Sequence, residues 1–196
     1  SFGHPSIVVL DGGLPRWIAE GFPTENGPPG VVERSDYQLV RSAEEHDGTE
    51  TVASYADIIA NVTDPRFEIL DARPGPRFEG AASEPRPGLP SGHIPGSLSL
   101  PFTKLLTPGT EGYRTFLRPE QLEDVFVATF GSADRWEAVK RGEKGLVASC
   151  GSGMTACIIW LAVQLCAKVP VQVKIYDESW TGYAGRGESP IAVCPK

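Results

Sequence analysis

The sequence is poor in residues from which many active sites are built. In 196 residues it carries three histidines, one methionine and four cysteines, and no cysteine comes before Cys150. No two cysteines form a CxxC pair, so zinc-ligand spacing is absent. Cys150, Cys157, Cys166 and Cys194 all lie late in the chain, whereas a disulfide framework would scatter them; they read as reduced thiols of an intracellular compartment. Positive charge is scarce: 18 Lys and Arg stand against 25 Asp and Glu, a net charge of −7. That balance argues against a nucleic-acid scaffold or a binder of anionic membranes. No apolar run approaches the roughly 20 residues of a membrane span. The longest, around Ile158 to Val163, is far shorter. Ser1 to Glu20 lack the basic start of a signal peptide. With no initiator methionine, the chain reads as a fragment, a processed form or an expressed piece.

Apolar residues make up 40% of the chain, enough for a core, and the length suits one domain with appendages or two small ones. Ile7–Leu10 predicts a buried strand, Asp11-Gly12-Gly13 a turn, and Pro15–Glu20 a short helix begun by proline and stopped by Gly21. Phe22–Val31, rich in Pro and Gly, reads as a linker. Tyr37–Ser42 predicts an edge strand and Arg41–Glu50 a solvated polar stretch. Thr51–Ser54 leads into a helix over Tyr55–Asn61 with Ile58 and Ile59 on its apolar face. Phe67–Leu70 predicts a strand with Asp71-Ala72-Arg73 at its carboxyl end. Pro74–Gly92 predicts a long loop holding Arg77 and Arg86, and Leu98–Pro101 a short strand. Pro119 opens a helix to about Phe130, and the charged stretch Ser132–Lys144 reads as a surface insertion. Gly145–Ser149 predicts a strand, Met154–Lys168 a long helix buried on most sides and stopped by Pro170, and Val171–Tyr176 another strand. Strands alternating with helices predict an α/β domain on a mostly parallel sheet, whose sites lie at the carboxyl ends of strands. Asp71, the loop with Arg77 and Arg86, and Cys150 all fall there.

The strand–loop–helix around Cys150-Gly151-Ser152-Gly153-Met154-Thr155 has the pattern of an anion-binding nest, in which amides and a helix N-terminus favour a thiolate. A lone cysteine at position 150 is better explained as the buried end of a strand; the glycine-rich turn between strand and helix shifts the reading toward a reactive site. A cysteine phosphatase wants arginine six residues after the cysteine, and Ala156 stands there. A protease-like nucleophile needs a histidine base. His93, the one histidine in an ordered-looking motif, looks structural. Sulfur transfer through a persulfide needs amide donors and a grip on an anionic donor, and no histidine base. There is also one repeat: Val8–Gly13 with Trp17 matches Lys174–Ser179 with Tyr183.

The run from Cys150 to Cys157 resembles the active-site loop of the 3-mercaptopyruvate sulfurtransferases, within the rhodanese superfamily. So do Asp71-Ala72-Arg73, Gly75–Gly80, Glu84–Gly88, Gly92–Ser97 and Tyr176–Trp180. The likeness implies a rhodanese-like fold with residues 51–196 as the catalytic domain, 22–50 as a linker, and 1–21 as the end of a preceding rhodanese-like domain. It implies Cys150 as nucleophile and Ser152 as a proton relay or a loop-shaping hydroxyl. Arg77 and Arg86 would hold the donor carboxylate, and Gly151, Gly153, Met154 and Thr155 would line the donor site, with Gly151, Gly153 and Thr155 supplying amide or hydroxyl donors. Neutral Gly151 and Ser152 stand where thiosulfate-preferring relatives carry basic residues, which implies 3-mercaptopyruvate. The alternatives are a thiosulfate sulfurtransferase or a non-catalytic sulfur carrier. No metal or organic cofactor is implied. The implied partners are a small thiol substrate, thioredoxin or another thiol acceptor, and the N-terminal half; the implied location is cytoplasmic or mitochondrial. Asp71 with Arg73 reads as a structural ion pair, and Trp180 as a pocket wall or a core filler.

Overall fold

Four parallel strands lie in the order β2-β1-β3-β4 at the centre of the computed structural model. The structure describes residues 7–28, 30–31, 33–34, 36, 51–109 and 111–195. The edge strand expected over Tyr37–Ser42 and the polar stretch Arg41–Glu50 lie outside them. The chain divides into two units, Ser1–Gly48 with Thr107–Phe116, and Thr49–Leu106 with Leu117–Lys196.

The strands β1 (Phe67–Asp71), β2 (Leu98–Ser99), β3 (Gly145–Ser149) and β4 (Val173–Ile175) belong to the second unit. Asp71 pairs in register with Ser149 and Ser99, so β1, β3 and β2 end level. Val52 adds a parallel bridge to Ile175, which extends the sheet beyond β4. Burial of β1 and β3 is nearly continuous, the pattern of strands covered on both faces. One face is covered by α2 (Tyr55–Thr63) and α7 (Ser179–Gly185), with Ile58, Ile69, Val147, Tyr176, Trp180 and Tyr183 in a single cluster. The helix α2 starts at a capping box: Asp57 N–H donates to Ser54 Oγ at 3.2 Å and Ser54 N–H to Asp57 Oδ2 at 2.8 Å. Elsewhere in the core, α4 (Pro119–Phe130) and α6 (Ala156–Cys166) pack together, burying Leu122, Phe126, Ile159 and Val163.

Four expectations need correction. Ile7–Leu10 is no strand; the segment is exposed and has no ladder partner among the described residues, without which a strand is not stable. Pro74–Gly92 contains a short helix, α3 (Gly75–Phe78), begun at a proline-rich corner. Ser132–Lys144 is not a surface insertion. It forms α5 (Ala133–Lys140), capped by Ser132 Oγ, whose Trp136 is fully buried and stacks on Phe126 at 4.7 Å and Phe130 at 5.6 Å. Its many charges conceal two apolar positions three residues apart, Trp136 and Val139, which are enough to seat a short helix. The long helix after Cys150 ends at Cys166, before Pro170, and leaves Trp160 and Leu165 partly exposed.

In the first unit, α1 (Gly13–Ala19) is closed by Gly21 in the left-handed region. Phe116 N–H donates to Asp11 Oδ1 at 3.0 Å. The repeat seen in the sequence is reproduced in backbone detail. Gly13 N–H donates to Leu10 O as Ser179 N–H does to Tyr176 O; Gly21 N–H donates to Ile18 O as Gly187 N–H does to Ala184 O. Each first helical residue has positive φ, 58° at Gly13 and 49° at Ser179.

Truncating the buried indole in Trp136→Ala is expected to cost about 3–5 kcal/mol of stability, as for other buried aromatics. Urea unfolding checks this, and a loss under about 0.5 kcal/mol, the surface value, would return Trp136 to a peripheral role.

Candidate functional site

The carboxyl ends of β1 and β3 deliver two segments side by side. Ala72 N–H donates to Ser149 O at 2.8 Å, so Asp71-Ala72-Arg73 runs alongside the start of the Cys150 loop. Cys150 itself is 2% exposed. Burial opposes ionisation of its thiol. The Thr155 hydroxyl and the amides of Ser152, Ala156 and Thr155 outweigh that penalty, and together hold the pKa below the ordinary thiol value. Ser152 N–H lies 3.4 Å from Sγ. These donors converge because the loop folds back at Gly153, where φ is 82°. A Cβ at Gly153 would lie 2.7 Å from Asp177 Oδ1, so both the backbone angle and the close approach require glycine.

The loop is held from beneath by Ser179. Its Oγ accepts from Cys150 N–H and from Gly153 N–H, each at 3.0 Å, and donates to Tyr176 O at 2.7 Å. The hydroxyl's one proton is thus committed, and its 4.0 Å approach to Cys150 Sγ is a packing contact. Three further tethers reach the loop from α7: Trp180 N–H to Cys150 O at 3.0 Å, and Thr181 N–H and Oγ1 to Gly151 O at 3.0 and 2.6 Å.

Cys150, Gly151, Ser152, Met154 and Thr155 open on a cavity of about 260 Å³ whose opposite side carries Arg77 and Arg86. A Cβ on Gly151 would stand 3.5 Å from Arg77 Nη2 and 3.9 Å from Arg86 Nη1, so the missing side chain leaves the space between loop and guanidiniums open. Seven of the eight residues expected at the site therefore meet around one small cavity. Gly153 does not line it, and its amide is not directed at the sulfur: it is spent on Ser179 Oγ, because the left-handed turn points that N–H into the protein. Ser152 and Arg86 are exposed, and Met154 is 78% exposed at the rim.

Behind the arginines lies a buried chain of ions. Arg73 donates to Asp71 through N, Nε and Nη2, at 2.9, 2.9 and 2.6 Å, and through Nη1 to Glu84 at 2.9 Å. Burial pushes the Asp71 carboxyl up, against the pull of Arg73; with these donors and a guanidinium that cannot lose its proton, it stays a carboxylate at neutral pH. Glu84 also pairs with Arg77 through both carboxylate oxygens. Arg73 lies over the Trp180 ring at 4.2 Å, and Trp180, 1% exposed, fills the core. His93 is away from the cavity, stacked on Phe78 at 3.9 Å with Nδ1 at 2.8 Å from Phe78 O.

The sequence profile of the rhodanese-like domain matches residues 54–186. The chain belongs to the rhodanese-like domain family. It is 36% identical over 189 residues to the 3-mercaptopyruvate sulfurtransferase of Rattus norvegicus, covering 96% of this chain and 56% of the relative. It is 34% identical over 204 residues to the thiosulfate/3-mercaptopyruvate sulfurtransferase 1, mitochondrial, of Arabidopsis thaliana, covering 97% of this chain and 50% of the relative. The crystal structure of the Tum1 protein from Saccharomyces cerevisiae matches with a TM-score of 0.75 at 26% identity, over 100% of this chain and 63% of that one. The chain spans about half the length of the curated relatives it matches.

Two residues of this rhodanese-like site escape a reading of the sequence. Ser179 looks like an ordinary turn residue; its signal is the internal repeat, which aligns it with Gly13 and so marks a left-handed position. Glu84 looks like a loop carboxylate, and nothing local announces that its side chain is 2% exposed between two arginines.

Ser179→Ala strips the acceptor from two buried amides at about 1–3 kcal/mol each, so a stability loss of at least about 2 kcal/mol is expected in urea unfolding. Ser179→Gly, which relieves the positive φ, should recover only part of it, and a full recovery would mean that backbone strain rather than the hydroxyl matters.

Proposed function

We propose that the chain carries the catalytic domain of a sulfurtransferase that takes sulfur from 3-mercaptopyruvate on Cys150 and passes it to a thiol. The observation that supports this most is the Cys150 sulfur: its pKa is lowered by amides and the Thr155 hydroxyl, and it opens on a small cavity with Arg77 and Arg86 opposite. The relatives are named for the same donor.

The chemistry follows from the placement. The Cys150 thiolate attacks the donor sulfur, an S–S bond forms and the C–S bond breaks. The bonding pair stays on the methylene carbon as the enolate of pyruvate, and the donor's thiol proton ends on that carbon. Arg77 and Arg86 face the cavity with guanidinium forks suited to the donor carboxylate. Ser152, exposed at the mouth, is proposed as the hydroxyl that relays the proton. The terminal sulfur of the persulfide is held by the donors that held the thiolate. An acceptor thiol, such as that of thioredoxin, or cyanide, then removes it and regenerates the Cys150 thiolate. Thiosulfate is the second donor to consider, since the Arabidopsis relative is named for both. Residues 1–21 are proposed as the end of a preceding rhodanese-like domain, a reading supported by the shared hydrogen-bond pattern of the α1 and α7 turns. A cytoplasmic or mitochondrial setting fits the reduced cysteines and the Arabidopsis relative's name.

Incubation with 3-mercaptopyruvate should add one sulfur atom to the Cys150 peptide in mass spectra, and no adduct on that peptide contradicts the proposal. Arg86→Ala, which loses a charge-assisted contact of about 1.5–3 kcal/mol, should raise KM for 3-mercaptopyruvate by about tenfold or more with a smaller change in kcat. An unchanged KM would remove Arg86 from the donor site.

A further inference from the structure

We propose that Glu84 sets the charge of donor that the Cys150 cavity accepts, by cancelling Arg77 and leaving Arg86 as the cavity arginine that no carboxylate matches among the described residues. This rests on the reading of the cavity as the donor site.

Three arginines line the cavity: Arg73, Arg77 and Arg86. Three positive charges would suit a multiply charged anion, but two of them are already matched. Asp71, Arg73, Glu84 and Arg77 form a continuous chain of ion pairs, two carboxylates against two guanidiniums, with no net charge. The side chains of Asp71, Arg73 and Glu84 are 2% exposed or less, so solvent does not screen the cancellation. Glu84 takes Nε and Nη2 of Arg77 together, which fixes the plane of that guanidinium and, among the described residues, leaves Nη1 without a carboxylate partner. Arg77 therefore faces the cavity as an oriented hydrogen-bond donor whose charge is already answered.

Arg86 is exposed and, among the described residues, pairs with no carboxylate. It offers one positive charge. A monocarboxylate is neutralised by it. A dianion would bring a second charge into a partly desolvated cavity beside the Cys150 thiolate with nothing to answer it, a costly arrangement. Glu84 is thus a specificity-determining residue that need not touch the donor. The neutral Gly151 and Ser152 agree with this, since neither returns the positive charge that Glu84 removes.

The test needs no turnover. The full chain is treated with iodoacetamide, alkylation is read on the Cys150 peptide, and protection is titrated with pyruvate as the monoanion and sulfate as the dianion. Glu84→Gln keeps the shape and removes the charge; it should shift the ratio of apparent dissociation constants toward sulfate by about tenfold, the size expected for one added charge at a partly screened site. Glu84→Asp should leave the ratio within about twofold of wild type, since the charge is kept. In Arg86→Gln the cavity keeps no net positive charge, and protection by both anions should lose its dependence on salt concentration. An unchanged ratio in Glu84→Gln overturns the proposal. If that variant does not fold, salt-dependent protection in Arg86→Gln does so, because it would show Arg77 acting as a full charge. A shifted ratio without persulfide formation keeps the charge account and removes the sulfur-transfer reading; persulfide formation without the shift does the reverse.

Discussion

Ser179 Oγ binds the amides of Cys150 and Gly153 in the protein interior, and the geometry around the sulfur follows from that one acceptor. With both amides tied down, the loop must turn back between them. Gly153 adopts the left-handed conformation and the amides of Ser152, Thr155 and Ala156 are turned toward Sγ. The serine can serve two donors because its proton is spent on Tyr176 O, and it can sit there because residue 179 opens α7 with φ at 49°. Strain of that kind in a non-glycine residue costs about 1–3 kcal/mol and is retained where the surroundings over-determine it. Here three hydrogen bonds do so.

The sheet makes this arrangement possible. Since β1 and β3 end in register, the Arg73 side of the site and the Cys150 loop leave the same edge, and the Arg77 and Arg86 segment folds back over them. The two halves do different work. The loop favours negative charge on sulfur by the converging amides and the Thr155 hydroxyl. The opposite wall supplies guanidiniums, and buried Glu84 and Asp71 hold down their net charge.

Much of this was legible in the sequence wherever local pattern and tertiary outcome coincide. The parallel α/β sheet and the strand ends at Asp71 and Ser149 follow from periodicity and turn chemistry, while the meeting of Cys150, Gly151, Ser152, Met154 and Thr155 with Arg77 and Arg86 was implied by the family resemblance of the linked motifs. What was not legible depends on long-range partners. Trp136 sits in a segment whose charges describe its outer face, while its burial is decided by Phe126 and Phe130 on another helix. Ile7–Leu10 has the composition of a strand, but a strand needs a neighbour. The direction of the Gly153 amide is set by a side chain 26 residues away, and the burial of Glu84 by two arginines brought together by the fold.

The central claim is that the Thr155 hydroxyl and the amides of Ser152, Ala156 and Thr155 lower the pKa of the Cys150 thiol against the penalty of its burial. The most direct measurement is the ultraviolet absorbance of the thiolate against pH, taken as the difference between the wild type and Cys150→Ser. A midpoint below the ordinary cysteine value of about 8.5 is predicted, with the thiolate present above it and lost as pH falls through it. A midpoint at or above that value would mean that burial prevails over the amides and the Thr155 hydroxyl, and would contradict the account.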